Sequence, residues 1–378
     1  LSRILINGVK STTGGGKSIL KNILSLLKTS SPKNDYYVLT PDKYEYEMYS
    51  CDYIHVVEIN RFFKYNAMFP LLYYFVLPRL LKNLRVDVIF NLGDIIIPSR
   101  IPQVYLFDWA FAIYPESDAW KRLGLKSLIY VKVKLYLFKK HIKYVTNIIA
   151  QTDVAKKRLE TIFHFKNIKV VPNAVSIENL HPQSKIDFDL PDGIKLLYLT
   201  YYYPHKNLEI FIPLAKIIKE RDLNYRLIVT IDESQSAKSK AFLRNIKKNN
   251  VDDVIINIGP VKMEHVPSLY EQCQGLLIPT LLESFSGTYV ESMFHKISIF
   301  TSDYDFARCI CKDAAFYFDP LDIFSIINAI EYAFNNQGVR ITKIAEGQRL
   351  LQELLTWEQA FVQYDNSINS SFGLGVMV

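Results

Sequence analysis

The sequence predicts an α/β protein of two Rossmann-like parallel-sheet domains facing a central cleft, and three observations predict it. The chain has 378 residues, too many for one ordinary core and enough for two. Short apolar runs alternate with longer helical patterns from end to end, the signature of a parallel sheet covered on both faces. The alternation breaks once, around Pro172-Asn173-Ala174-Val175. A polar stretch with Pro182, Pro191 and Gly193 follows, and the pattern then restarts.

In the first half the strand-like runs are Arg3–Asn7, Tyr36–Leu39, Tyr53–Val57, Asp87–Phe90, Gln103–Leu106, Asn147–Ala150 and Ile168–Val171. Each is short and apolar, as buried parallel strands are. Helical patterns lie between them at Lys17–Lys28, Phe62–Leu84, Leu125–Tyr144 and Asp153–Thr161. The second half gives strands Ile194–Leu199, Tyr225–Thr230, Val254–Asn257, Gly275–Ile278 and Ile297–Phe300. Its helices are Asn207–Lys219, Ala237–Lys247, Glu264–Glu271, Tyr289–His295 and Asp322–Phe334. The resulting division is 1–175, 176–355, and a terminal helix in 356–378 crossing back to the first domain. In such sheets ligands bind beyond the carboxyl ends of the strands.

Composition narrows the partners. Hydrophobic residues make up 49% and charged residues 22%, a globular balance. The apolar stretch from Ala67 to Leu81 is broken by Pro70 and Pro78, and is shorter than the ~20 residues of a membrane span. The opening strand has no basic n-region or small-residue cleavage site, so no signal peptide is expected. Four cysteines without a CxxC pair fit a reduced, cytoplasmic setting. Residues 1–175 hold 26 Lys/Arg against 13 Asp/Glu, whereas 176–378 hold 19 against 25. The first half therefore suits something anionic: nucleic acid, a membrane surface or a phosphorylated lipid. No recognisable nucleic-acid motif accompanies the charge, so nucleic acid is not expected as a partner. The segment Leu125–Tyr144 mixes Lys126, Lys132, Lys134, Lys139, Lys140 and Lys143 with aliphatic and aromatic residues. That pattern suits the inner face of a cell membrane, and equally a solvated helix face.

The segment that carries chemistry is Glu283-Ser284-Phe285-Ser286-Gly287-Thr288-Tyr289-Val290-Glu291. Two carboxylates flank a Ser/Gly turn that opens a helix after a buried strand. The turn offers backbone N–H groups, and a helix N-terminus favours phosphate. Glu291, placed in the first turn of that helix, can accept hydrogen bonds from a ribose diol. Glu283, in the loop, can reach sugar hydroxyls. Two solvated acids on a surface loop would give the same letters.

Residues 195–335 resemble the C-terminal domain of the retaining family 4 glycosyltransferases, which have the GT-B fold. The resemblance rests on Tyr203-Pro204-His205-Lys206-Asn207, Ile258-Gly259-Pro260-Val261, Pro279 to Gly287, Glu291, Ser302 to Arg308, and Tyr317-Phe318-Asp319-Pro320. It implies transfer of a hexose, with retention, from a nucleoside-diphosphate sugar to a glycan or polyprenyl-linked acceptor, in bacterial surface polysaccharide synthesis. It also implies that Glu291 contacts the donor ribose and Glu283 the transferred sugar. Phe285, Ser286 and Gly287 would present amides to sugar and phosphate, Thr288 would add a hydroxyl, and Gly259 would let the base approach the backbone. Lys206 matches the lysine that neutralises the diphosphate, where a cation must meet charge growing on the leaving group. The family's Gly-Arg five to six residues earlier is absent, and Thr200 and Tyr201 stand there instead. No cofactor beyond the sugar nucleotide and no metal is implied. The DxD at Asp303-Tyr304-Asp305 follows the Glu291 helix and is a form common by chance.

The first half matches the family mainly in architecture. Ser11 to Ser18 contains Gly14-Gly15-Gly16-Lys17, but a P-loop would need glycine where Ser11 stands. In the GT-B setting Gly15 and Gly16 border the acceptor cleft and face the donor phosphate. Asp108 ends a strand where the family often has a histidine, and is expected to orient or deprotonate an acceptor hydroxyl. An epimerase or phosphorylase of the same fold, or a binding module that has lost the chemistry, are the competing functions.

Overall fold

The computed structural model describes the chain except residues 1, 13, 31–32, 66–67, 93–94, 175–179, 183–184 and 373–378, and except the side chain of residue 64. The interdomain linker expected after Ala174 thus falls largely outside the described residues, as does one position of the glycine turn. The chain divides into two compact units. The first comprises 1–113, 125–174 and 355–378, and the second comprises 114–124 and 175–354. The segment Tyr114–Gly124, counted with the first domain on sequence, clusters with the second.

In the first unit the strands are β1 (Arg3–Asn7), β2 (Asp35–Thr40), β3 (Ile54–Glu58), β4 (Val88–Asn91), β5 (Gln103–Phe107), β6 (Asn147–Ala150) and β7 (Ile168–Val170). They form one parallel sheet in the order β3-β2-β1-β4-β5-β6-β7. One face is covered by the helix Gly14–Ser30 and by the last helix, Trp357–Asn369, whose Trp357, Ala360, Tyr364 and Ile368 join Ile4, Leu20, Leu24 and Phe90 in one cluster. Thr356 and Gln359 cap that last helix reciprocally. The other face packs Leu5, Val9 and Ile89 against Phe69, Leu72, Tyr73 and Leu77.

The single helix expected over Phe62–Leu84 is broken. A 3-10 turn spans Arg61–Lys64, and the helical run from Phe69 to Leu84 carries a π turn at Leu72–Val76. Pro78 supplies the reason for the π turn: it has no N–H, and its ring crowds the carbonyl four residues earlier.

The second unit's strands are β8 (Ile194–Tyr198), β9 (Tyr225–Val229), β10 (Ile255–Asn257), β11 (Gly275–Ile278), β12 (Ser298–Ser302) and β13 (Ala315–Phe318). They form a second parallel sheet, β10-β9-β8-β11-β12-β13. Strand β13, Ala-Phe-Tyr-Phe, went unread in the sequence. Strand order reverses between β8 and β11, and in sheets of this kind ligands bind at that point of the carboxyl edge. Gly275 begins β11, where a Cβ would lie 2.9 Å from Leu196 and 3.0 Å from the Phe300 ring.

Candidate functional site

The loop after β8 runs through Tyr201, Tyr202 and Tyr203 into a 3-10 turn, Pro204–Lys206, and then Asn207. The helix expected from Asn207 starts only at Phe211. Asn207 has a left-handed backbone, φ 56°, which an asparagine tolerates well. Its buried side chain donates to the Pro320 carbonyl at 2.8 Å. This turn swings Lys206 inward, so the lysine does not stand exposed at the head of a helix.

The loop after β11 comes to meet it. The amide of Leu281 and the hydroxyl of Thr280 both donate to the His205 carbonyl, at 2.8 and 3.1 Å. The Ser117 hydroxyl donates to the Leu281 carbonyl at 2.9 Å. Held this way, the Lys206 ammonium forms an ion pair with Glu283 Oε1, and both side chains are largely buried. Burying such a pair costs desolvation, and removing one partner would leave an uncompensated charge.

Beyond Glu283 the chain passes Phe285 and turns into the helix Gly287–Phe294 at its N-cap, Ser286. The Ser286 hydroxyl bonds to the Thr288 hydroxyl at 2.8 Å and caps no backbone amide, so it leaves the helix's positive end to an outside anion. Glu291 lies in the second turn of this helix, one turn later than the sequence suggested, because the helix begins at Gly287. Its side chain runs back toward the N-terminus, as helical side chains do. A Cβ on Gly287 would sit 3.8 Å from Glu291 Oε1. Oε2 accepts a hydrogen bond from the Tyr270 hydroxyl at 2.7 Å. Burial raises the Glu291 carboxyl above its ordinary value, while the Tyr270 bond works in the opposite direction. The Tyr270 ring in turn stacks on His295, centroids 5.0 Å apart and 4° from parallel.

Tyr201 brings no cation to the loop. Its ring packs on Tyr203 at 5.1 Å, and Tyr203 stacks on His205 at 5.5 Å. Burial, with the neighbouring Lys206 adding to it, pushes His205 down to about 3, so the ring is neutral. Gly259 follows β10 with φ 72°, and nothing lies within 4 Å of where its Cβ would be.

Residues 183–349 match the family model described as glycosyl transferases group 1. The second unit is a group 1 glycosyltransferase domain. Solved glycosyltransferases share the whole architecture. Sucrose-phosphate synthase from Thermosynechococcus elongatus is similar with TM-score 0.74 at 14% identity, over 98% of this chain and 99% of that one. Anabaena HepE in complex with UDP-glucose gives 0.73 at 14%, over 98% and 100%. A Rickettsia africae glycosyltransferase gives 0.71 at 13%, over 98% and 99%. The fold class, two Rossmann-like parallel-sheet domains of GT-B type, is thus the one expected. No curated protein sequence matches the chain.

In this domain the carboxyl edge at β8 and β11 gathers Lys206, Glu283, Phe285, Ser286, Gly287, Thr288 and Glu291 on two loops and one helix start. Tyr201 shares the β8 loop, and Gly259 follows β10, two places from β8 along the sheet. Gly15, Gly16 and Asp108 belong to the other unit. Gly15 and Gly16 form the first turn of the helix after β1, and Asp108 directly follows β5. The turn's Lys17, which a P-loop would aim at phosphate, is paired with Glu45 at 2.5 Å. The DxD carboxylates are engaged as well. Asp303 binds Arg308, with Nη2 to Oδ2 at 2.8 Å, and Asp305 accepts from the Tyr114 hydroxyl at 2.9 Å. Sequence reasoning missed Tyr270 and Ser117. No motif marks them, since each acts by reaching across from a separate part of the chain.

Proposed function

We propose that this glycosyltransferase takes a nucleoside-diphosphate sugar as donor and transfers the sugar with retention to a glycan or polyprenyl-linked glycan. The observation that carries the reading is the Lys206–Glu283 pair at the strand-order reversal, followed by an uncapped helix start with the Glu291 carboxylate folded back along it. Each part has a task. Lys206 and the amides at Gly287 and Thr288 meet the charge that builds on the departing diphosphate. Glu283 commits Oε1 to Lys206 and leaves Oε2 for a sugar hydroxyl. That division suits a carboxylate that orients the sugar better than one that attacks it. Glu291 takes the ribose. The proposed chemistry calls on no resident cofactor. The UDP-glucose carried by the similar HepE structure supports the donor class. Asp108 and the Gly15-Gly16 turn are proposed to serve the acceptor side. A cytoplasmic role in bacterial surface polysaccharide assembly fits such an acceptor.

The test is thermal shift with nucleoside diphosphates, followed by product analysis. A cognate diphosphate at ~100 times its Kd stabilises by about 2.7 kcal/mol. Glu291→Ala and Lys206→Ala should abolish the gain. Incubation of an α-linked donor with acceptor should give an α-linked product by NMR. No response to any nucleotide would sink the reading. Turnover that needs no acceptor and returns an altered donor would point to an epimerase instead.

A further inference from the structure

The helix Leu125–His141 turns one face into the first unit and leaves the opposite face exposed. Val131, Lys134, Phe138 and His141 are buried. Phe138 meets Tyr105, Phe107, Trp109 and Phe163, and the Lys134 ammonium lies 4.3 Å from the centre of the Trp109 ring. Lys134 is therefore withdrawn from the surface charge that the sequence assigned to this helix. On the far face Leu125 is 73% exposed, Ile129 54%, Val133 51% and Tyr136 62%. Spacings of four, four and three place these side chains in one stripe along the helix. The same geometry sets Lys132 and Lys139 along one side of the stripe and Lys126 and Lys140 along the other.

The neighbouring helical run, Phe69–Leu84, continues the surface. The two helices are joined by a Tyr74 hydroxyl to His141 Nε2 bond of 2.6 Å and by Phe69 packing on Tyr130 at 6.3 Å. Leu71, Tyr74 and Phe75 are exposed there, with Arg79 and Lys82 also in solvent. Neither 69–84 nor 125–144 contains an aspartate or a glutamate.

We propose that this two-helix face docks on an anionic lipid bilayer, with the apolar stripe in the headgroup–acyl boundary and the flanking lysines at the phosphates. The charge distribution selects this occupant. Apolar side chains bordered by cations and free of acids match a surface that is oily within and negative above. A second copy of the chain fits poorly, because a two-fold contact would set cation against cation. The proposal is independent of the donor site, whose nucleotide response serves as a folding control.

The experiment is co-sedimentation of the full chain with vesicles of phosphatidylcholine alone or with about 30 mol% phosphatidylglycerol. Binding is expected only with phosphatidylglycerol and should weaken as salt rises. Ile129→Ser with Tyr136→Ser, which keeps the charge, should reduce binding about tenfold, as should Lys132→Glu with Lys139→Glu. All four positions are exposed, so circular dichroism and nucleotide-induced melting shifts should match wild type. Failure to bind anionic vesicles would overturn the proposal, as would undiminished binding by both variants. So would a concentration-dependent dimer, seen by sedimentation, that the Ile129→Ser, Tyr136→Ser variant abolishes.

Discussion

Glu291 is held by a phenol, and that contact decides how the carboxylate is presented. Unsupported, a glutamate in the second turn of a helix samples several rotamers. Here Tyr270 donates to Oε2 at 2.7 Å and is itself fixed by stacking on His295, which leaves Oε1 beside Gly287. If Glu291 receives the ribose diol, Tyr270→Phe should weaken binding of the cognate nucleoside diphosphate by about 0.5–1.5 kcal/mol, roughly 2- to 13-fold. Binding of the 2′-deoxy analogue, which offers one hydroxyl fewer, should fall by much less. Calorimetric titration of both ligands with both proteins distinguishes positioning from general damage, since equal losses would mean a merely structural role. At this scale the sequence displayed Lys206, Glu283 and Glu291 through their spacing. It concealed Tyr270, because a hydroxyl donated from 21 positions away obeys no local pattern. It also misjudged the turn holding Lys206, which depends on Asn207 adopting φ 56°.

Among the elements, strands read more clearly than helices. Buried parallel strands are continuous apolar runs between breaks, and the seven of the first unit show as such. Helices were harder to bound. Pro78 breaks the run at Phe69–Leu84 locally, and the helix carrying Glu291 begins at an uncapped glycine, two residues before the apolar pattern starts. Strand β11 shows how tightly an element can be specified. Its first residue, Gly275, sits between β8 and β12, and a Cβ there would meet Leu196, Phe300 and the Ser298 carbonyl within 2.9–3.3 Å. The backbone carbonyl cannot yield as a side-chain tip can. Gly275→Val should therefore destabilise the second unit by about 1–3 kcal/mol through overpacking. Urea unfolding would show this as a lower midpoint, and an unchanged midpoint would mean that β8 and β12 separate more easily than their packing implies.

At the scale of the whole molecule, three histidines are held toward the neutral form by the fold, and they weigh on its response to mild acid. Burial pushes His205 down to about 3, with Lys206 adding to it, and His295 down to about 4, with His181 adding to it. His141 is lowered by burial, helped by Lys140 and Lys143. In the unfolded chain all three would titrate near the ordinary value of 6.5. Above that value neither state holds these protons, and the stability is fully present. As pH falls below it, the unfolded chain takes up protons that the folded chain refuses, and stability is lost. Glu291 acts in the opposite direction, because its carboxyl is raised and gains its proton first in the folded state. Asp365, raised by burial, acts with Glu291, whereas the lowered carboxylates Glu45 and Asp253 act with the histidines, losing stability as they gain protons in acid. Each fully excluded histidine costs up to about 1.4 kcal/mol per pH unit, so His205 alone accounts for about 1–2 kcal/mol by about pH 5. For units of this size that lowers the melting temperature by about 2–8 °C. Melting curves between about pH 7.5 and pH 5 should slope downward, and His205→Asn should remove His205's share of the slope. A melting temperature that stays level over this window would show that these rings accept protons inside the folded protein.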